Sequence, residues 1–262
     1  MNKSAIILGI KTFNLSLDEK RLLQDKQPLG VILFSRNIKD PKQTLNLTQS
    51  IKKILGKETM ILIDQEGGRV SRLNKSYWKT YPDANYFGKI ANSNLAKAKY
   101  FTYKNFKDIG NNLNKLGINY NCAPVLDLKI KGASSVIGDR AFSRSPEIVS
   151  QLSLQACKGL LSENVFPIVK HIPGHGRAKV DSHFYLPIIK SSKKVLQEDF
   201  YPFIKLNKQP LAMIAHIKYL ALDKEKCATF SKSTIGFIKN KLGFKGILFS
   251  DDLCMKALKG SY

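Results

Sequence analysis

The sequence contains few acidic residues. It has 20 Asp and Glu against 43 Lys and Arg, so its formal net charge is +23. A basic excess of this size is a feature of proteins that bind nucleic acids. Here, however, the lysines are spread through almost every segment instead of forming a block. We therefore interpret them as a solvated surface, with a field that attracts acidic substrates as the alternative, and we expect no nucleic-acid partner.

Cysteines and long apolar runs are scarce as well. The four cysteines lie far apart without a CxxC spacing, which favours a reducing compartment over a disulfide framework. The apolar run at residues 5–10 is shorter than most signal-peptide cores, no cleavage motif follows it, and no later run approaches a membrane span. The sequence thus predicts a cytoplasmic protein with no membrane partner.

The composition is that of a folded domain. With 43% hydrophobic residues, 17 Gly and 10 Pro, the chain has enough apolar material for a sizeable core and no bias typical of disorder. A length of 262 residues is near the upper limit for one domain, and α/β barrels routinely reach it undivided. We expect a single domain over residues 1–262, whose oligomeric state the sequence does not reveal.

Short apolar runs recur along the chain, and each ends in a polar cluster. Because a strand that is covered on both faces shows a continuous apolar run, they predict buried parallel strands. The runs are residues 5–10, 30–37, 60–69, 118–128, 166–176, 211–217 and 246–252.

Helix signals lie between these runs. The clearest is Asp40-Pro41, an N-cap followed by proline at the first helical position, and the helix that it opens ends at Gly56. The other predicted helix starts are the capping box of Ser16 and Glu19, Ser145-Pro146, and Ser231. The alternation of strand and helix predicts an α/β fold of the (β/α)8 TIM-barrel type.

Polar side chains gather at the carboxyl ends of the predicted strands. In a barrel these ends form one face, on which barrel active sites are built, so we expect residues remote in sequence to converge there. The residues are Arg36, Asn37, Asp64, Gln65, Glu66, Asp127, Lys170, His171, His216, Asp251 and Asp252.

The segment KHIPGHGRAKVDSH, residues 170–183, carries three of the chain's four histidines together with a proline and two glycines. We interpret it as a mobile catalytic loop, since the carboxylate of Asp181 can fix the tautomer of His183 and stabilise its cation. A polar loop without chemistry is one alternative. A zinc site of His171, His175 and His183 is another, although the proline and glycines argue against the helix that such spacing requires.

The segment DQEGGRVSR supplies further charged groups at the end of the third predicted strand. Its carboxylates and guanidinium groups, on Asp64, Glu66, Arg69 and Arg72, can accept from and donate to sugar hydroxyls. An internal Glu–Arg salt bridge is the alternative.

Two more motifs end in charged pairs. In GILFSDDL, strand alternation allows only one of Asp251 and Asp252 to point at the barrel axis, and periodicity does not choose between them; both can instead cap a following helix. In VIGDRAF, Arg140 has Asp139 as its predicted salt-bridge partner.

The motifs DQEGGR, APVLDL, GDRAF, KHIPGHG, DSH and SDDL, in this order, resemble those of the family 3 glycoside hydrolases, in particular their bacterial β-N-acetylhexosaminidases. The resemblance runs from about Gly30 to the C-terminus, and KH-x-PGHG-x4-DSH is highly specific. It implies a retaining exo-β-N-acetylglucosaminidase that removes terminal β-linked GlcNAc from GlcNAc-1,6-anhydroMurNAc muropeptides in cytoplasmic cell-wall recycling. It further implies a small carbohydrate as the partner, and neither a cofactor nor a metal.

The resemblance also implies roles for single residues. The nucleophile is the first aspartate of SDDL, Asp251, and the acid/base is the histidine of DSH, His183, supported by Asp181. Asp251 attacks the anomeric carbon as His183 protonates the leaving oxygen, and His183 then activates water to hydrolyse the glycosyl-enzyme. A histidine departs here from the usual pair of carboxylic acids. The implied substrate-binding residues are Asp64, Arg72, Arg140, Lys170 and His171.

One departure from the family pattern concerns the C-terminal end. The sequence ends at Tyr262, shortly after Asp251, whereas the family continues through another helix and an eighth strand. We therefore expect a barrel that lacks its eighth strand and last helices. The alternatives to the implied function are a related β-glycosidase, a GlcNAc phosphorylase of the same fold, and an inactive muropeptide-binding member of the family.

Overall fold

The computed structural model describes residues 3–73 and 75–259. In these residues the chain alternates between parallel strands and helices. The strands are β1 (Ser4–Gly9), β2 (Pro28–Leu33), β3 (Met60–Ile63), β4 (Tyr120–Asn121), β5 (Phe166–Pro167), β6 (Val169–Ile172), β7 (Ile188–Ile189), β8 (Leu211–Ile214), β9 (Lys218–Tyr219) and β10 (Ile247–Ser250). The α-helices are α1 (Leu17–Lys26), α2 (Pro41–Leu55), α3 (Ala84–Ala91), α4 (Leu95–Lys115), α5 (Pro146–Leu161), α6 (Lys193–Lys205) and α7 (Lys232–Asn240).

Two parallel sheets form the wall of the barrel. One has the order β1-β2-β3-β4-β5, and the other has the order β6-β8-β10. They meet at Lys170, whose carbonyl accepts the N–H of Leu126 at 2.6 Å and whose own N–H donates to the carbonyl of Pro124 at 3.2 Å. Only Ile168 separates β5 from β6, so these two strands occupy one place in the wall. The α/β barrel-type architecture predicted from the sequence is thus confirmed.

The two ends of this wall are β1 and β10. Within the described residues, β1 pairs with β2 and β10 pairs with β8, and no pairing joins β1 to β10. The side chains of Ile6 in β1 and Ile247 in β10 are 51% and 60% exposed. The described part of the barrel therefore has two free edges, as expected for a wall without an eighth strand.

Each of the predicted runs contains a strand, but most of the strands end before their polar clusters begin. For example, β3 ends at Ile63, and Asp64 is the first residue of the following loop. The run 118–128 forms only the two-residue strand β4, because Pro124 has no N–H to donate to a ladder. Most of the polar side chains therefore lie on loops at the carboxyl end of the barrel, whereas Lys170 and His171 lie within β6.

The predicted helix starts are confirmed by their cap geometry. The Asp40 carboxylate accepts the N–H of Gln43 at 2.8 Å, and α2 ends at Gly56 with a φ of 97°. Ser16 and Glu19 form the reciprocal capping box of α1. The side-chain oxygens of Ser145 and Ser231 accept the N–H groups of Ile148 and Thr234 and so cap α5 and α7.

The core has two apolar layers. The smaller layer fills the barrel and is made by alternate side chains of β3 and β8, such as Met60 and Leu62, together with Leu211 and Met213. The intervening side chains, such as Ile61 and Ile63, face outward and pack against the helices. In the described ranges, no helix is both long and apolar enough to cross a membrane.

Candidate active site

A buried ionic cluster lies at the carboxyl ends of β3 and β6. The Nζ atom of Lys170 is 2.7 Å from Asp64 Oδ1 and 2.7 Å from Glu66 Oε1. Arg140 adds a bidentate pair to Glu66, with N–O distances of 2.9 and 2.8 Å, and Arg72 lies 3.4 Å from Asp64. Four of the predicted substrate-binding residues, Asp64, Arg72, Arg140 and Lys170, are thus brought together.

The charges of this cluster stabilise one another. Burial alone would lower the pKa of Lys170, but the carboxylates of Asp64 and Glu66 raise it above its usual value. Burial would also favour the neutral acid of Glu66, but Lys170 and Arg140 hold the pKa of this carboxyl well below its usual range. Lys170 and Glu66 are therefore both charged at neutral pH, and the cluster presents donors and acceptors of the kind that bind hydroxyl groups.

The predicted pair of Asp139 with Arg140 is wrong. Asp139 instead pairs with Arg69 at 2.7 Å on the surface, while Arg140 reaches inward to Glu66. Gly138–Arg140 form a 3-10 helix, in which consecutive side chains point about 120° apart, so neighbours in sequence face different partners. The alternative of a Glu–Arg salt bridge within DQEGGRVSR is wrong as well, because Glu66 pairs with Arg140 from outside the segment, while Arg69 pairs with Asp139 and Arg72 with Asp64.

Next to the cluster, Asp127 organises two histidines. Its Oδ2 is 2.6 Å from His171 Nδ1, and its Oδ1 accepts the backbone N–H of His175 at 2.6 Å. Burial acts to raise the pKa of Asp127, but the charge and hydrogen bond of His171 lower it below its usual value. An ionised Asp127 requires a proton on Nδ1 of His171, so the ring orientation of this histidine is fixed.

Residues 173–183, the part of the predicted catalytic loop that follows β6, present His183 to solvent. Its side chain is 59% exposed, and its Nδ1 lies 2.7 Å from Asp181 Oδ1. Asp181 also accepts the backbone N–H of His183 at 2.9 Å. Partial burial acts to raise the pKa of Asp181, but these two hydrogen bonds and the charge of His183 lower it. The predicted pairing of Asp181 with His183 is thus present, and it leaves Nε2 of the imidazole pointing away from the carboxylate.

Two glycines allow the first half of the catalytic loop to pack tightly. Gly174 has a φ of 136°, and a Cβ there would lie 2.8 Å from the Cβ of Asp199. A Cβ on Gly176 would collide with the carbonyl oxygen of Leu128. The sequence predicted a mobile loop that contains these two glycines, but their packing indicates that this half of the loop requires residues without a side chain.

Asp251 follows β10 directly and is the half-buried member of the Asp251–Asp252 pair. Burial acts to raise the pKa of Asp251, but the positive charges of His171, His216 and Lys170 lower it below its usual value. The side chain of Asp252 is exposed and accepts the N–H of Cys254 at 2.8 Å. The structure therefore separates two aspartates that sequence periodicity could not distinguish: Asp252 is exposed, whereas Asp251 is half-buried near the buried cations.

His216 supports Asp251 through the backbone. Its Nε2 is 3.0 Å from the carbonyl oxygen of Asp252, and its Nδ1 is 2.6 Å from Thr229 Oγ1. Because a carbonyl only accepts, Nε2 carries the proton. The N–H of Asp252 in turn donates to Asp251 Oδ1 at 2.8 Å. This chain of contacts holds the Asp251 carboxylate in one orientation.

Sequence reasoning placed Asp127 and His216 at strand ends but gave them no role. Their partners lie far away in sequence, 44 residues from Asp127 to His171 and 36 residues from His216 to Asp252. The position of a polar residue after an apolar run was the available signal. Within the described ranges, no group of three or more His, Cys, Asp or Glu side chains is arranged to hold a metal ion.

Comparison with known proteins agrees with this geometry. A model of the glycosyl hydrolase family 3 N terminal domain matches residues 4–262. A β-hexosaminidase of Neisseria gonorrhoeae is 35% identical over 264 residues, which cover 99% of this chain and 72% of the relative. A β-hexosaminidase of Thioalkalivibrio sulfidiphilus is 34% identical over 257 residues, which cover 97% of this chain and 74% of the relative.

Solved structures give the same result. The crystal structure of NagZ from Neisseria gonorrhoeae in complex with N-trifluoroacetyl-D-glucosamine is 35% identical in sequence and has a TM-score of 0.91. The match covers 96% of this chain and 75% of that chain. Motifs, fold and relatives therefore agree, and this chain belongs to glycosyl hydrolase family 3, in which it is a β-N-acetylhexosaminidase.

Proposed function

We propose that this protein is a retaining exo-β-N-acetylglucosaminidase that releases terminal β-linked GlcNAc from GlcNAc-1,6-anhydroMurNAc muropeptides in cytoplasmic cell-wall recycling. The observation that carries the proposal is the presence of two complementary groups at the carboxyl end of the barrel. One is an ionised carboxylate after β10, Asp251, and the other is an exposed imidazole with its own carboxylate on the catalytic loop, the dyad of His183 and Asp181.

The environment of Asp251 suits a nucleophile. Its lowered pKa keeps the carboxylate ionised at neutral pH, and the neighbouring cations and the N–H of Asp252 hold it in place. Attack by one carboxylate oxygen on the anomeric carbon forms a carbon–oxygen bond as the glycosidic bond breaks, which gives a covalent glycosyl-enzyme. A second displacement by water returns the β configuration.

The Asp181–His183 dyad has the properties that an acid/base catalyst needs. With Nδ1 donating to Asp181, the Nε2 atom of His183 is available to protonate the leaving oxygen in the first step and to take a proton from water in the second. The ionised Asp181 stabilises the imidazolium form that precedes proton donation. Exposure of the imidazole leaves room for the departing sugar, which must lie beside the acid.

The buried cluster suits recognition of a terminal sugar. Lys170 supplies ammonium donors, Asp64 supplies acceptors, and Arg72 lies at the edge with its side chain 27% exposed. Such a charged cluster can bind the free hydroxyls at the end of a glycan. The structure of NagZ from Neisseria gonorrhoeae with a GlcNAc analogue supports GlcNAc as that sugar.

Two properties support the muropeptide and the compartment. The net charge of +23, whose alternative interpretation is a field that attracts acidic substrates, is compatible with an aglycone bearing lactyl or peptide carboxylates. The four cysteines, Cys122, Cys157, Cys227 and Cys254, are free thiols, which agrees with a reducing compartment.

Turnover of p-nitrophenyl β-GlcNAc tests the proposed residues. We expect Asp251→Ala and His183→Ala each to reduce kcat/KM by about 10²-fold or more, because one removes the nucleophile and the other the acid. Asp252→Ala is the matched control: it removes the neighbouring exposed carboxylate and should leave turnover close to that of the unsubstituted protein.

The same assay separates the competing activities. The proposal is supported if p-nitrophenyl β-GlcNAc is hydrolysed at a rate that does not depend on phosphate. It also requires that the corresponding β-glucoside is cleaved little. A rate that rises with phosphate and yields GlcNAc-1-phosphate would identify a phosphorylase. Muropeptide binding in calorimetry without any turnover would identify a binding protein, and either outcome contradicts the proposal.

A further inference from the structure

The dyad of Asp181 and His183 is separated from the rest of the active site by an exposed stretch of chain. The first half of the catalytic loop, up to Ala178, is packed against the barrel. Lys179 and Val180 are exposed, and the dyad follows them. Between the packed half and the dyad, the main chain alone therefore offers little restraint on the position of the imidazole.

A buried side-chain contact bridges this gap. Ser182 stands between the two residues of the dyad, yet it is only 3% exposed, and its hydroxyl lies 3.0 Å from Nε2 of His175. His175 is also 3% exposed. If a buried hydrogen bond between two neutral groups breaks, each partner is left without either the bond or water. Such a bond therefore favours the one geometry in which it forms.

His175 itself is held at several points. Its backbone N–H donates to the buried Asp127, which also binds His171. Burial, reinforced by the charge of His171, lowers the pKa of His175 to about 4, so its ring is neutral at neutral pH. The ring of His175 therefore projects from a fixed backbone toward Ser182.

The segment that carries His175 is anchored to the fold on both sides. The hydroxyl of Tyr219 donates to the carbonyl of Gly174 at 2.9 Å. Arg177 binds Asp199 and Glu198 of α6 with N–O distances of 2.5 and 2.6 Å. These contacts fix the residues on both sides of His175 relative to the barrel. Through its hydrogen bond to Ser182, His175 therefore fixes the position of the dyad relative to the barrel.

We propose that the hydrogen bond between His175 and Ser182 is a latch that holds the Asp181–His183 dyad in position to transfer a proton. His175 and Ser182 are positioning residues in this account, because they act through His183 and do not touch the reacting atoms. The inference rests on the proposed role of His183 as acid/base. The sequence suggested His175 only as a ligand of the alternative zinc site, and it suggested no role for Ser182.

The latch predicts a loss that depends on the leaving group. A glycoside with a basic leaving group, such as phenyl β-GlcNAc, needs protonation of its oxygen as the bond breaks, whereas a dinitrophenyl glycoside departs without that proton. The ratio of kcat/KM for the two substrates therefore reports proton donation in the first chemical step. General distortion of the site would lower both values together.

The test compares five proteins: the unsubstituted protein, Ser182→Ala, His183→Ala, the double variant that carries both of these changes, and Ser153→Ala as a matched control in α5, where a buried serine lies outside the catalytic loop. We expect Ser182→Ala to lose about 10-fold or more in kcat/KM on phenyl β-GlcNAc and to change little on the dinitrophenyl substrate. Ser153→Ala should change neither. In the His183→Ala background, Ser182→Ala should add no further loss, because both changes act on the same proton transfer.

A second pair of variants makes the result independent of the folding of one protein. His175→Leu should reproduce the loss of Ser182→Ala, and His175→Gln should recover part of it, because an amide nitrogen can again reach the serine hydroxyl. The proposal of a latch is overturned if Ser182→Ala and His175→Leu lower kcat/KM equally for both substrates, or if they lower it for neither. If His183→Ala itself shows no dependence on the leaving group, the acid/base assignment fails and the latch fails with it.

Discussion

The buried ammonium of Lys170 binds two carboxylates that come from a single loop. Asp64 and Glu66 both lie 2.7 Å from its Nζ, and the side chain is only 3% exposed. Removing one partner of a buried ion pair is costly, because the remaining charge keeps its desolvation penalty. Lys170 therefore contributes to stability in addition to its proposed role in substrate recognition.

This double role predicts the effect of Lys170→Met. We expect the free energy of unfolding to fall by about 3 kcal/mol, because Asp64 and Glu66 lose their shared cation. Urea denaturation measures the change. Lys79→Met, which removes an exposed ammonium from its pair with Asp108, is the control and should cost under about 1 kcal/mol. Equal losses in the two variants would show that the cluster is not a buried ionic unit.

His175 predicts a pH dependence of stability. Burial and the charge of His171 lower its pKa from 6.5 to about 4 in the folded protein. Between these two values the unfolded chain binds more protons than the folded chain, so the free energy of unfolding rises with pH. The contribution of His175 is therefore complete above about pH 6.5 and is lost as the pH falls toward about 4.

The difference between the unsubstituted protein and His175→Gln isolates this contribution. We expect it to grow in favour of the unsubstituted protein by up to about 1.4 kcal/mol per pH unit between these values, and to stay constant above them. Other titrating groups, such as Asp199 with its pKa raised by burial to about 6, are present in both proteins and cancel. A difference that is flat over the whole range would mean that His175 is not buried in its neutral form.

Single residues show where sequence interpretation reached its limit. The two members of the Asp181–His183 dyad are two positions apart, so their pairing could be predicted from spacing. The partner of Arg140 could not, since Glu66 lies 74 positions away and only the fold brings it near. The choice between Asp251 and Asp252 likewise depends on cations that come from other strands.

At the scale of elements, local signals identified those helices that begin with a strong cap. A cap is a contact between residues three positions apart, such as Asp40 with Gln43 or Ser231 with Thr234, so it is visible in sequence. The helices α3, α4 and α6 were not predicted individually. Asp83 and Asn94 do cap the first two, as the N–H groups of Tyr86 and Lys97 show, but no proline or capping box marked these starts.

The positions of the main strands were predicted correctly, but the predicted strands were longer than the observed ones. An apolar run continues into the loop wherever the loop itself is buried, as at residues 122–126, where hydrogen bonds lead to Lys170 instead of extending β4. The short pair β7–β9 was missed because two-residue strands give no periodicity. Its register, Ile188 to Lys218, is set by tertiary contacts and not by local sequence.

At the scale of the whole molecule, the alternation of strand and helix predicted the barrel architecture and the common face of its polar residues. Parallel strands joined by helices place all their carboxyl ends on one side, so the convergence of Asp64, Lys170 and Asp251 follows from topology. The contacts between them do not follow from topology. They depend on loop paths, such as the turn that brings Arg140 inward, which only the three-dimensional structure defines.

The central claim is that Asp251 is the nucleophile of a retaining reaction. Mass-spectrometric mapping of a glycosyl-enzyme, trapped with a fluorinated β-GlcNAc derivative that forms the intermediate faster than it hydrolyses, tests this claim most directly. The account predicts one N-acetylhexosaminyl ester, located on the carboxylate of Asp251 and absent from Asp251→Ala. An ester on Asp252 or on another carboxylate, or turnover that yields the inverted α-anomer without any ester, would contradict it.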